Sequence, residues 1–219
     1  MGKEVMSLLC DRDLLRAMDS GDLAVTVDGE RVERSALQAA SVELHLGAEY
    51  AVPKAHRWEH AIVNASDPPD NLFVKHRVLD GDGFNMPPGA FYLVCTAERV
   101  RLSRNLAARV DGKSTLGRLG LDVHSTAGFI DPGFDGEVTL ELYNKAPYSI
   151  WLVQGMPIAQ LVCERLTCPT ERPYGTAGLG SRYQNSVGVV EPRRAKMIPL
   201  SEVVLPAAEK VPNTSFLGA

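Results

Sequence analysis

The chain has 219 residues, 45% hydrophobic and 23% charged, with 23 Lys plus Arg against 27 Asp plus Glu and a net charge of −4. That length suits one domain with a full core and no covalent staples, and the acidic balance argues against a nucleic-acid binder working through bulk positive charge. No apolar run approaches the ~18 residues of a membrane-crossing helix, and single phosphate sites stay open because they need only a few placed cations.

At the amino terminus Lys3, Glu4, Asp11 and Asp13 stand where a signal peptide would have its apolar core. Cys10, Cys95, Cys163 and Cys168 form no C-x-x-C pair, which points to reduced thiols in a cytoplasmic protein. One helix stands out, capped by Asp11 or Asp13, striped by Leu14, Leu15 and Met18, and ended by Gly21. Beyond it the period changes to alternation. Val42–Leu46 alternates and stops at Gly47, and Asp67–Asn85 is polar and reads as loop or a loosely paired hairpin. Phe91–Val94, Val138–Leu142, Ile150–Val153 and Ile158–Val162 are short apolar or alternating runs bounded by Gly, Pro or Asn. Strands in that rhythm predict a mainly β sandwich or barrel. From Pro169 onward Gly175, Gly178, Gly180 and Gly188 are mixed with Arg172, Tyr174, Arg182 and Tyr183, a flexible segment bearing cations and aromatics. The stretch 191–219 holds four prolines and no period, and is expected to be a tail or a strap over a neighbour.

Chemistry-bearing residues concentrate between Val110 and Asn144. Gly112-Lys113-Ser114-Thr115 resembles the end of a P-loop, but Ala107 stands where the first glycine belongs. What remains is a Lys, two hydroxyls and Arg118, four residues beyond Ser114 and on the same face of a short helix. Such a set suits a triphosphate, or is an ordinary solvated turn. Asp131 before Pro132-Gly133 makes a turn by itself, or is aimed by it into a pocket beside Phe134. Glu141 lies mid-strand opposite Val138, Leu140 and Leu142, where a strand glutamate commonly meets solvent.

Taken together, Val110–Leu121, Ser125–Gly136, Leu140–Asn144 and Gly155–Leu161 resemble dCTP deaminase, of the dUTPase-like superfamily. Leu9–Asp13, Ser41–Gly47 and Arg172-Pro173-Tyr174 extend the likeness over most of residues 8–190. The resemblance implies a distorted β-barrel or jelly roll with a short N-terminal helix, a domain over 1–190 with a mobile lid from about residue 170, and a homotrimer with sites shared between subunits. It implies hydrolytic deamination without zinc, and no histidine here opens the H-x-E motif of zinc deaminases. Glu141 matches the base that takes a proton from water. Ser114 and Arg118 match positions holding Glu141 and that water, and the Ala127 carbonyl orients the water. Lys113, Ser114, Thr115 and Arg118 match triphosphate ligands, with magnesium bridging phosphate oxygens and no metal site of the protein's own.

Asp131 matches the residue at the deoxyribose 3′-hydroxyl, and Phe134 stands beside it. Tyr174 and Arg182 belong to the implied lid, whose closure expels water. Two positions depart from the family: Ser186 replaces a base-reading Gln with a side chain too short for that bond, and Arg182 replaces a Lys. The run Gly128–Phe134 resembles the branch that deaminates dCTP and cleaves it to dUMP, with dUTP as the alternative product. A dUTP diphosphatase on the same fold and a non-catalytic nucleotide sensor are the competing readings. The partners implied are dCTP or dUTP and further copies of the chain, with no nucleic-acid polymer and no membrane.

Overall fold

The computed structural model describes residues 7–54 and 62–195, so most of the expected tail lies outside the described residues. In chain order the elements are β1 (Ser7–Leu8), α1 (Asp11–Ser20), β2 (Leu23–Val27), β3 (Glu30–Arg31), β4 (Val42–Pro53), β5 (Phe73–Arg77), β6 (Gly83–Met86) and β7 (Phe91–Leu102). Then follow β8 (Leu106–Gly112), α2 (Ser114–Arg118), β9 (Leu121–Asp122), β10 (Phe129–Ile130), β11 (Asp135–Asn144), β12 (Ile150–Val153) and β13 (Pro157–Arg165).

Helix α1 forms where the apolar stripe predicts it, burying Leu14, Ala17 and Met18 and closing at Gly21 with φ 78°. Its N-cap is Cys10, with no side-chain cap; Asp11 and Asp13 occupy the first turn, where they complement the helix dipole. At the α1–β2 junction Asp22 accepts bonds from Ser103 Oγ at 2.7 Å, Asn105 Nδ2 at 2.9 Å and Arg165 Nη1 at 3.5 Å. Burial pushes its carboxyl pKa up, but the Asn105 and Ser103 bonds and the Arg165 charge outweigh that and hold it below its ordinary value.

Eleven strands share one strongly curved sheet whose central path runs β10-β8-β13-β4-β7-β11-β9, and β6 and β12 form a separate antiparallel pair. The inner face encloses the main core, including Leu44, Leu46, Val94, Leu140, Leu142, Ile158 and Leu161. The expected stop at Gly47 does not occur, because β4 continues to Pro53. A Cβ on Gly47 would lie 2.7 Å from Cys95 Sγ and 2.9 Å from two β7 carbonyl oxygens, so glycine serves close strand approach. The polar Asp67–Asn85 stretch yields β5, paired with β4, and β6, paired with β12. Strands β2 and β8 escaped the sequence patterning; Leu106-Ala107-Ala108 has little strand propensity of its own and is held by β13 and β10. No helix among the described residues is long and apolar enough to cross a membrane.

A second, smaller cluster packs on the outer face: Ala51, Phe73, Leu93, Cys95 and Val189. Burial pushes the Cys95 thiol up to about 11 and the Cys163 thiol up to about 12. Val189 comes from the segment after β13, which therefore roofs the outer face of β7 and β11.

Candidate active site

The site is set by an irregularity in the β7–β11 ladder. Glu137 pairs with Arg99 but Thr139 pairs with Cys95, so β7 carries extra residues opposite Val138. Thr96 fills the gap, its hydroxyl accepting the Val138 N–H at 3.0 Å and donating to the Glu98 carbonyl at 2.7 Å. Buried Glu98 in turn accepts the His45 N–H at 2.9 Å and faces His45 Nδ1 at 2.6 Å. This bracing fixes β11 so that Glu137, Thr139 and Glu141 point outward while Val138, Leu140 and Leu142 fill the core.

Those outward residues floor a cavity of about 520 Å³. Its wall is the turn region His124–Phe134, and its roof is contributed by Tyr174, Arg182, Tyr183, Ser186 and Val190. Glu141 is half-buried there; its Oε2 accepts from Thr126 Oγ1 at 3.3 Å, and Ser125 Oγ donates to its carbonyl at 3.4 Å. Asp131 caps the predicted turn, its carbonyl accepting the Phe134 N–H at 3.1 Å, and its exposed side chain lines the cavity with Ala127 and Phe134. The Phe134 and Tyr174 rings meet at 5.9 Å, and the Tyr174 N–H donates to the Pro132 carbonyl at 2.7 Å. His124 also lines the cavity, and its Nδ1 is buried without a partner among the described residues.

The roof is tied to itself and to the sheet by a series of hydrogen bonds. Tyr174 Oη accepts the backbone N–H groups of Arg182 at 3.1 Å and Tyr183 at 2.9 Å, closing the 175–181 loop. Gln184 bridges to the Asp131 turn, donating to Gly133 O at 3.0 Å and accepting from Asp135 N at 3.2 Å. Beyond it, Gly188 N–H donates to Glu137 Oε2 at 2.7 Å, Val189 N–H to Glu49 Oε2 at 3.3 Å and Val190 N–H to Thr139 Oγ1 at 3.2 Å. Residues 184–190 are thus a strap stitched to the sheet. Ser186 is buried in it, its hydroxyl donating to the Glu137 carbonyl at 2.8 Å, so its one proton is spent on the sheet.

The second predicted cluster sits elsewhere. Ser114 and Arg118 share α2 as expected, but they and Thr115 are exposed, and neither they nor Lys113 line the cavity holding Glu141. Lys113 is half-buried and ion-paired with Glu43 on β4. Within one chain Arg118 does not line the cavity that holds Glu141: α2 follows β8 and packs through Leu116 toward β9, while Glu141 lines the strap-covered cavity. Sequence reasoning missed Glu137, Thr139 and Gln184. All three act through backbone amides of distant segments, a role no local motif announces.

The family model for dCTP deaminase-like proteins matches residues 8–166. A dCTP deaminase, dUMP-forming, of Salinispora tropica is 45% identical over 181 residues, covering 83% of this chain and 91% of that protein. One from Corynebacterium glutamicum, of the same description, is 42% identical over 181 residues, covering 83% and 93%. In fold the chain is similar to the crystal structure of 2'-deoxycytidine 5'-triphosphate deaminase from Agrobacterium tumefaciens, with a TM-score of 0.56 and 19% identity over 74% of this chain and 48% of that one.

Proposed function

The chain belongs to the dCTP deaminase-like family, and from that premise we propose that it hydrolyses dCTP to dUMP, ammonia and pyrophosphate. The observation that carries this reading is the pairing, in one cavity, of a half-buried carboxylate on a braced strand, Glu141, with a second carboxylate on a rigid turn, Asp131. In the deamination step a water oxygen bonds to C4 of the ring while Glu141 accepts its proton. Glu141 then returns protons to the ring nitrogen and the departing amine, the C4–N4 bond breaks, and ammonia leaves. Thr126 holds one Glu141 oxygen, leaving the other for the water, and the Ala127 carbonyl orients that water from the cavity wall. Asp131 binds the deoxyribose 3′-hydroxyl and positions a second water that attacks the α-phosphorus, with pyrophosphate as leaving group.

The exposure of α2 supports a shared site. Ser114, Thr115 and Arg118 of one copy complete the cavity of another, bringing Arg118 to Glu141 and cations to the triphosphate, with Tyr174, Phe134 and Arg182 closing over it. A homotrimer meets this need. Lys113, occupied by Glu43, joins the phosphates only by exchanging partners. Magnesium enters as a companion of the nucleotide. Asp131 is the carboxylate that would stand near the ion, which would supply charge neutralisation to the phosphates.

The test is a Glu141→Gln variant assayed for ammonia release from dCTP. Loss of turnover by at least about 100-fold is expected for removing a general base, with dCTP binding retained. Full activity in the variant would overturn the assignment.

A further inference from the structure

The loop that carries Arg182 is locked to a second arginine beyond the strap. Arg182 Nη1 donates to the Arg193 carbonyl at 3.3 Å, and Arg193 Nη1 donates back to the Arg182 carbonyl. The Arg193 N–H reaches Tyr183 Oη at 3.4 Å. Both guanidinium carbons sit over the Tyr183 ring, at 5.9 Å for Arg182 and 5.8 Å for Arg193. Two fixed like charges around one ring repel each other, and neither forms an ion pair with a carboxylate among the described residues, although the neighbouring Arg194 pairs with Asp67 at 2.5 Å. Each guanidinium has five N–H donors and spends one on the reciprocal carbonyl bonds. Both side chains are exposed, and Arg182, Tyr183 and Pro192 line the cavity, with Arg193 next in the chain after Pro192.

We propose that Arg193 is a second phosphate-binding cation, which with Arg182 and the Tyr183 ring clamps the distal end of the nucleotide's triphosphate. A polyanion resolves the repulsion and gives planar, forked donors the acceptors they match. The reciprocal carbonyl bonds hold both forks ready before ligand arrives, so little side-chain freedom is lost on binding. The inference rests on the dCTP reading for the identity of the nucleotide, but its anion chemistry stands separately. It also extends the site past the strap, which ends at residue 190.

The experiment measures calorimetric binding of inorganic tripolyphosphate to the full-length protein, beside KM for dCTP and inhibition by dCMP, in wild type, Arg193→Gln and Arg193→Lys. Arg193 is exposed, so unchanged thermal midpoints are expected and confirm folding. Arg193→Gln is expected to weaken tripolyphosphate binding and raise KM for dCTP by about 10-fold or more, as loss of a charge-assisted bond does, with dCMP inhibition unmoved. The tripolyphosphate affinity should also depend less steeply on salt, and Arg193→Lys should recover part of it. Equal tripolyphosphate affinity in wild type and Arg193→Gln overturns the clamp, whatever the enzyme does with dCTP. Arg193-dependent tripolyphosphate binding in a protein that leaves dCTP untouched would keep the clamp and reject the dCTP reading.

Discussion

Gly136 is where the strap touches β11, and Gly136→Ala is the sharpest perturbation of the roof. The added Cβ would lie 2.4 Å from Ser186 Oγ, 2.9 Å from Ser186 N and 3.2 Å from Ser186 O. The hydroxyl can rotate away, but the backbone nitrogen cannot, so the strap must lift. Overpacking of this kind costs about 1–3 kcal/mol. The Ser186–Glu137 bonds, at 2.8 and 2.9 Å, are then stretched, each worth about 1 kcal/mol. The β7 side of β11 keeps its own ladder, so the loss falls on local opening of the strap rather than on the barrel. Hydrogen exchange at the Gly188 and Val190 amides should accelerate roughly 30-fold for about 2 kcal/mol lost, while amides of β7 and β11 in the barrel stay protected. Replacing Ser186 by Gly in the same chain removes the 2.4 Å contact but not the 2.9 Å one, so rescue should be partial. Unchanged exchange at Gly188 and Val190 would refute the claim that this contact holds the roof.

Three further outcomes follow from the same structure. Asp22 has a depressed folded-state pKa, so its contribution is complete above its ordinary value of 3.8 and is lost as pH falls through the lower folded-state value; Asp22→Asn should cost about 1–2 kcal/mol at neutral pH and flatten the acid limb of stability measured by urea unfolding. Cys95 and Cys163, buried with thiols pushed up to about 11 and about 12, should resist alkylation at pH 8 until denaturant is added, as mapped by peptide mass, and labelling of either in the native protein would contradict the packing described. Tyr174→Phe removes the acceptor of two backbone amides, and should raise KM for dCTP several-fold by loosening Arg182 while leaving the thermal midpoint nearly unchanged.

Much of the barrel was legible because its strands alternate. Val138–Leu142 and Ile158–Val162 fall inside β11 and β13, and the face assigned to Glu141 is the face it takes. Helix α1 was legible from its stripe and its terminal glycine. Strand β8 was not, since Ala107 and Ala108 owe their conformation to neighbours on both sides. Gly47 misled for a related reason: the same residue that ends a strand in isolation permits two strands to approach in a packed sheet. Local motifs singled out Ser114, Arg118 and Asp131 because turn and helix spacing are short-range, and of the three Asp131 lines the cavity. The strap left no such trace. Its anchors, Glu49, Glu137, Thr139 and Gln184, are ordinary polar residues whose partners lie up to 140 positions away, and Ser186 could be seen to differ from a Gln but not to be buried.

The most direct measurement is a time course of wild-type protein with dCTP and magnesium, resolving dCTP, dUTP, dUMP, pyrophosphate and ammonia together. Glu141 and Asp131 acting in one cavity predict that dUMP, pyrophosphate and ammonia appear in equal amounts from the first turnover. Accumulation of dUTP would separate the two carboxylates' roles, and dCTP left unchanged would contradict the account outright.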